Sequence, residues 1–298
     1  MKKCLLPTAY CLLLLLGCRE QIEIHTDNAD PRLVITGYIT TDTMAHVVSI
    51  SQTIGYFGSE TPKTYDNAVV TINGKLLHAL GDGRYATDEG FHGELGETYL
   101  LEAYVDVDNS GQPQYYYASA TMPPMHVLDS IALRFFRYDH HGAPTWVIYV
   151  NFQDIEGVPN LFGAHLYINS EKYSNKLLRY FLNDFDETAG DGRYIRFPLI
   201  PEYIIRSTIW RDYDKGTILY LYTGDTLTVE FNMLDRQYFN YIQAAKSEAM
   251  GSNPLFAGPP ANVPCNIHGG ALGIFGAYTT SRQSLIITEE YGFPEREE

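Results

Sequence analysis

Asp106-Val107-Asp108-Asn109-Ser110-Gly111 sets oxygen-bearing side chains at alternate positions with a glycine sixth, the ligand order of the first half of a calcium loop. Asp106, Asp108 and Ser110 are therefore candidate calcium ligands, and calcium is the one cofactor this spacing suits. The twelfth position holds Tyr117 in place of the bidentate Glu that completes such loops. The same residues also suit a plain turn between Val105 and Tyr115. A second acidic group, Asp184, Asp186, Glu187 and Asp191, falls in one Gly-punctuated loop that could collect a hard cation or simply be solvated. Acids distant in sequence, Asp139, Asp154, Asp184 and Asp186, could assemble a hydrolase site, since two carboxyls about 5 to 9 Å apart hydrolyse glycosides. His140-His141 beside Asp139, and Cys265 with His268, each bring too few ligands for zinc. No nucleophile elbow, zincin helix or phosphate-cradling loop occurs, and Gly269, Gly270 and Gly273 read as backbone turns before a strand. The expectation is a protein that is not an enzyme.

The remaining reactive residue is Cys18. Lys2 and Lys3 precede an apolar stretch from Leu5 to Leu16, about a dozen residues where a membrane-spanning helix needs roughly 20. That is the anatomy of a cleaved secretory signal. Leu15-Leu16-Gly17-Cys18 resembles the bacterial lipobox, whose cysteine is acylated and becomes the new N-terminus, so Cys18 is expected to carry lipid. Cys4 and Cys11 leave with residues 1–17, which leaves Cys265 without an intramolecular partner and expected to be buried. Loss of Lys2 and Lys3 takes the formal charge from -15 to -17. Nucleic acid is thereby disfavoured as a partner, and anionic lipid is not attracted by charge.

These residues need a scaffold, and the sequence reads as mostly β. Residues 18–30 form a tether, and residues 31–124 an immunoglobulin-like or transthyretin-like sandwich. Its strands run over Leu33–Thr40, His46–Thr53, Ala68–Ile72, Lys75–Leu80, Thr98–Val105 and Tyr115–Thr121, with Asn73-Gly74 as a hairpin turn. Pro123-Pro124 marks a boundary. Residues 125–298 read as a second antiparallel β domain, sandwich or barrel, with strands that include Leu177–Leu182, Leu272–Tyr278 and Ser284–Thr288. One helix, 235–250, is capped by Asp235, presents Tyr238, Ile242, Ala245 and Ala249 on one face and stops at Gly251 and Pro254. Residues 253–278, rich in Pro and Gly yet carrying Leu255, Phe256, Val263 and Ile267, are expected to be ordered and suited to touching a partner. Among 24 Tyr and 14 Phe, Tyr115-Tyr116-Tyr117 is the densest cluster, and strand alternation must turn Tyr116 away from its neighbours.

Leu33 to Thr40 soon after the lipobox, Ala68 to Ile72, Gly96-Glu97-Thr98-Tyr99, Pro123 to Ile131, Asn253-Pro254, Asn266-Ile267, Gly269-Gly270 and Gly273 to Tyr278 together resemble the domain-of-unknown-function 4249 family of Bacteroidota lipoproteins. The resemblance implies an outer-membrane lipoprotein, often encoded near TonB-dependent transporters, and brings no functional residues with it. Glu20 and Glu23 after Cys18 resemble the surface-export signals of such bacteria, so the outer surface is expected rather than the periplasmic face. The expected role is a non-enzymatic accessory or ligand-binding subunit of a TonB-dependent uptake system, with a lipid-anchored hydrolase or a structural envelope protein as alternatives.

Overall fold

The computed structural model describes residues 30–54, 61–138, 144–174, 176–185, 191–199, 204–206, 218–249 and 263–296. The N-terminal strands are β1 (Leu33–Thr40), β2 (Val47–Gln52), β3 (Val69–Ile72), β4 (Lys75–Leu76), β5 (His78–Gly81), β6 (Arg84–Ala86), β7 (Thr98–Val105) and β8 (Gln114–Thr121). They are followed by β9 (Leu128–Tyr138), β10 (Pro144–Gln153), β11 (Asn160–Ile168), β12 (Glu171–Lys172), β13 (Phe181–Phe185), β14 (Tyr194–Leu199), β15 (Ile204–Arg206), β16 (Ile218–Tyr220), β17 (Thr226–Leu234), the helix α1 (Arg236–Ala249) and β18 (Leu272–Ile286).

Strand β18 ties the fold together. Its first half runs parallel to β1, with Val34 opposite Leu272 and Thr40 opposite Tyr278. Its second half runs antiparallel to β17, with Leu234 opposite Tyr278 and Thr226 opposite Ile286. One nine-stranded sheet therefore runs β12-β11-β17-β18-β1-β2-β6-β5, with β13 on β11. A four-stranded sheet, β4-β3-β7-β8, shares a core with its N-terminal part, where Ile35, Ile39 and Ile50 meet Val70, Leu101 and Ala118. Ile267, Ala271, Phe275 and Ala277 complete that core, so residues 31–124 do not fill it alone. A five-stranded sheet built on β9, β10 and β14 to β16 buries a second core against β11 and β17, around Phe152, Phe162 and Phe231. Among the described residues no sheet closes into a barrel.

Helix α1 covers the far side of the nine-stranded sheet. Asp235 caps it by accepting from the amides of Gln237 at 2.8 Å and Tyr238 at 2.9 Å. Burial of Asp235 pushes its carboxyl up, and its other oxygen accepts the Ala277 amide. The buried stripe is Phe239, Ile242 and Lys246, not the expected Tyr238, Ile242, Ala245 and Ala249. Of the expected face, Tyr238 also packs on the sheet, half-buried over Gly276, where an added Cβ would come within 2.5 Å of its ring. Gly251 and Pro254 lie outside the described residues.

Other sequence expectations shift for physical reasons. Lys75–Leu80 divides at Leu77, which turns into the first core, so β4 and β5 join different sheets. Leu177–Leu182 becomes a 3-10 turn over Leu177–Arg179 followed by β13, which places Asp184 on a strand opposite Leu161. The two expected closing strands are one strand of 15 residues, because both halves find partners along a single line. Gly273 lies inside β18 with φ +116°, not in a turn before it.

Candidate binding surfaces

The outer face of the four-stranded sheet carries an aromatic row. Alternation buries Tyr116 and leaves Tyr115 and Tyr117 exposed, as the sequence requires. Tyr104 lies opposite Tyr115 in register, with ring centroids 5.0 Å apart. Tyr115 stacks on Tyr117 at 5.5 Å, and Tyr117 stacks on His268 at 4.6 Å with 15° between planes. His268 arrives from the segment before β18 and bridges the edge strand, donating its amide to the Tyr117 carbonyl at 2.8 Å. Asn266 holds that segment, donating to the Phe275 carbonyl at 2.7 Å and accepting the Phe275 amide at 2.9 Å. Tyr115 donates its hydroxyl to Glu102 at 2.9 Å, and this bond to a carboxylate raises the phenol above its ordinary range. Residues 263–271 thus pack along the first core and lead into β18, while 253–262 lie outside the described residues. Cys265 is exposed, correcting the expectation of burial, because Ile267 rather than Cys265 turns into the core.

A second surface lies on the β9–β10 hairpin. Phe135 opposes Trp146 and Arg137 opposes Thr145, so Phe136 between them is the extra residue of a β-bulge. Phe136 is 51% exposed. The Arg137 guanidinium carbon lies 5.3 Å from its ring centroid, a cation–π spacing.

A third constellation runs from the buried Glu230 out to the half-exposed Arg282. Strand register aligns His165, Glu230 and Arg282 across β11, β17 and β18. Arg282 donates to Glu230 from Nε at 3.0 Å and to Asp42 from Nη1 at 2.9 Å, so one guanidinium joins two carboxylates. Tyr167 donates to Glu230 at 2.9 Å, and Thr280 donates to Asp42 at 2.7 Å. Burial, reinforced by Lys172 and Arg282, pushes the His165 imidazole down to about 3. Burial beside Glu230 raises the Tyr167 phenol. The donors and acceptors satisfy one another, which suits a structural clamp joining the β1–β2 connection to the sheet. Sequence reasoning missed this row. The available signal was Glu230 and Asn232 inside the otherwise apolar run of β17.

The sequence-derived site residues fall as follows. Both Asp106 oxygens accept backbone amides, from Ser110 at 3.0 Å and Gly111 at 2.8 Å, and Asp108 accepts from Ser110 at 3.3 Å. Ser110 Oγ accepts the Gln112 amide at 3.3 Å. These bonds fold the loop as a turn. Among the described residues no group of three His, Cys, Asp or Glu could hold a metal ion. Asp154 is buried, facing His126 Nε2 at 2.9 Å and accepting the Gly192 amide at 3.1 Å. Burial lowers the His126 imidazole despite that neighbour. Asp184 is exposed on β13, while Asp139, His140, His141, Asp186, Glu187 and Cys18 lie outside the described residues.

A family model described as "Domain of unknown function (DUF4249)" matches residues 19–284. No curated protein and no solved structure matches the chain.

Proposed function

Because this chain belongs to the DUF4249 family, we propose that it is a lipid-anchored envelope protein without catalytic activity, acting as an accessory binding subunit of a TonB-dependent uptake system. The single observation that carries the binding role is the bulged hairpin. Phe136 stands exposed with Arg137 beside its ring, and aromatic and arginine side chains are the ones that anchor protein interfaces. A bulge is also a common device for aiming a side chain away from its sheet. Lipid attachment is supported by the lipobox-like Leu15-Leu16-Gly17-Cys18, and display on the outer surface by Glu20 and Glu23.

Two experiments test this reading. Cys18→Ala should lose metabolic labelling by an alkyne fatty acid and leave the membrane fraction; label retained on the variant refutes the anchor. Co-purification from detergent-solubilised outer membranes should recover a transporter with the wild-type protein. Phe136→Ala should weaken that association by about 2 kcal/mol, roughly thirtyfold in affinity, as expected for an interface anchor. Undiminished recovery of the partner with Phe136→Ala would remove the hairpin as the contact.

A further inference from the structure

The aromatic row of the four-stranded sheet lies beside the point where the chain enters the fold. Arg32 donates from Nη2 to the Gly270 carbonyl at 2.9 Å, and two residues earlier His268 is bridged to Tyr117 and stacked on it. The same end is closed by Lys63, whose carbonyl accepts the Gln52 amide at 2.9 Å and whose Nζ reaches the Val107 carbonyl at 3.4 Å. Val107 belongs to the connection between Tyr104 and Tyr115. Twelve residues lead from Cys18 to Asp30, so the acylated residue and the fold can be separated by no more than about 40 Å. The tether to a bilayer holding Cys18 is thus attached at this end of the molecule.

The chemistry of the face agrees with such a neighbour. The rings stand against one another, 21° and 15° from parallel along Tyr115, Tyr117 and His268. Tyr115 lies between Tyr104 and Tyr117, and Tyr117 between Tyr115 and His268, so neither leaves a flat face free. A sugar or a base would need a free face to stack on, whereas an apolar ring with a polar tip suits the headgroup level of a membrane. Val69, opposite Tyr104 in register, adds an exposed aliphatic side chain. Glu102, the acid in this face, has its oxygens taken by the hydroxyls of Tyr115 at 2.9 Å and Thr71 at 3.4 Å. With a formal charge of -15 for the whole chain, attraction to anionic lipid contributes nothing, so the contact is an apolar and hydrogen-bonding one.

We propose that the face formed by Val69, Tyr104, Tyr115, Tyr117 and His268 is a membrane-contact surface, seated in the headgroup layer of the bilayer that holds the acylated Cys18. The inference rests on the lipid-anchor reading above and adds an orientation to it: the four-stranded sheet is turned toward the bilayer.

The test uses the full acylated protein in phosphatidylethanolamine/phosphatidylglycerol vesicles. A nitroxide is placed at Ser119→Cys, on the same face, or at Glu89→Cys, beyond the opposite end of β1 where Met44 bonds Phe91. Both carry Cys265→Ser, so that the label has one thiol. Collision of the Ser119 label with a water-soluble nickel chelate should fall severalfold on going from detergent to vesicles, while the Glu89 label stays unchanged. Replacing Tyr104, Tyr115 and Tyr117 together by Ser should restore collision at Ser119 while flotation with the vesicles persists. A Ser119 label that remains as open to nickel as the Glu89 label, on protein that is acylated and floats, overturns this inference alone. Protein that is neither acylated nor vesicle-bound overturns the anchor reading, and this one with it.

Discussion

Gly273→Ala should destabilise the protein by about 3 to 5 kcal/mol, a large share of the 5 to 15 kcal/mol that holds a typical native state together. Two costs combine there. The residue has φ +116°, where an L side chain is strained by about 1 to 3 kcal/mol. An added Cβ would also lie 1.9 Å from the Ile35 carbonyl oxygen, on the strand to which β18 is bonded. Backbone cannot yield as a flexible side-chain tip can, so β1 and β18 would have to part inside the first core. Gly270→Ala is the control: its φ is +92°, but nothing lies within 4 Å of the added atom. Thermal unfolding followed by circular dichroism should show a midpoint lowered by roughly 10 °C in Gly273→Ala and by much less in Gly270→Ala. Equal shifts in the two variants would mean that φ alone, and not the closeness of the strands, sets the cost.

Arg282→Met should cost about 2 to 4 kcal/mol, below the 3 to 5 of a fully enclosed pair because the Arg282 side chain is 44% exposed. Its removal leaves Glu230, only 6% exposed, and Asp42 facing one another without a cation. Arg282→Met with Glu230→Gln should recover much of the loss, since a neutral amide needs no counter-charge. Denaturant unfolding of the wild type, both single variants and the double variant reads the coupling, and strictly additive costs would show that the clamp does not act as a unit. The pH dependence has a definite sign. The hydrogen bond from Arg282 holds the Asp42 carboxyl below its ordinary value of 3.8. A carboxyl lowered in the folded state contributes stability that is fully present above 3.8 and lost as pH falls through the lower folded value. The wild type should therefore weaken on that acid limb, and Arg282→Met should show a flatter one.

What could be read from the sequence was local. Asn73-Gly74 announced a turn with both residues at positive φ, and they stand at +49° and +74°. Asp235 announced a helix start, and alternation through Tyr115-Tyr116-Tyr117 announced which ring turns inward. The polar stretch Thr279 to Gln283 broke β18 in two on paper, because its apolar pattern stops there. In the fold those residues continue the strand, with Thr280 and Arg282 in the clamp and Gln283 donating to the Leu128 carbonyl. His165, Glu230 and Arg282 have no common spacing, and only strand register brings them together, with Asp42 added from the β1–β2 connection. His268 is another such case. Its ring completes the aromatic row through a bridge to a strand 151 positions earlier, which no periodicity encodes.

The place of β18 also decides when the molecule can fold. Arg32 and Gly270 meet across 238 positions of sequence, and the first core lacks Phe275 and Ala277 until that stretch of chain is present. Contacts of such high order form slowly, because the loop must close before they return any energy. An emerging chain carrying β1 to β8 thus has most of the first core's apolar residues but not the strand that completes it. Closure of the first core therefore waits for a strand made when nearly the whole polypeptide has been synthesised.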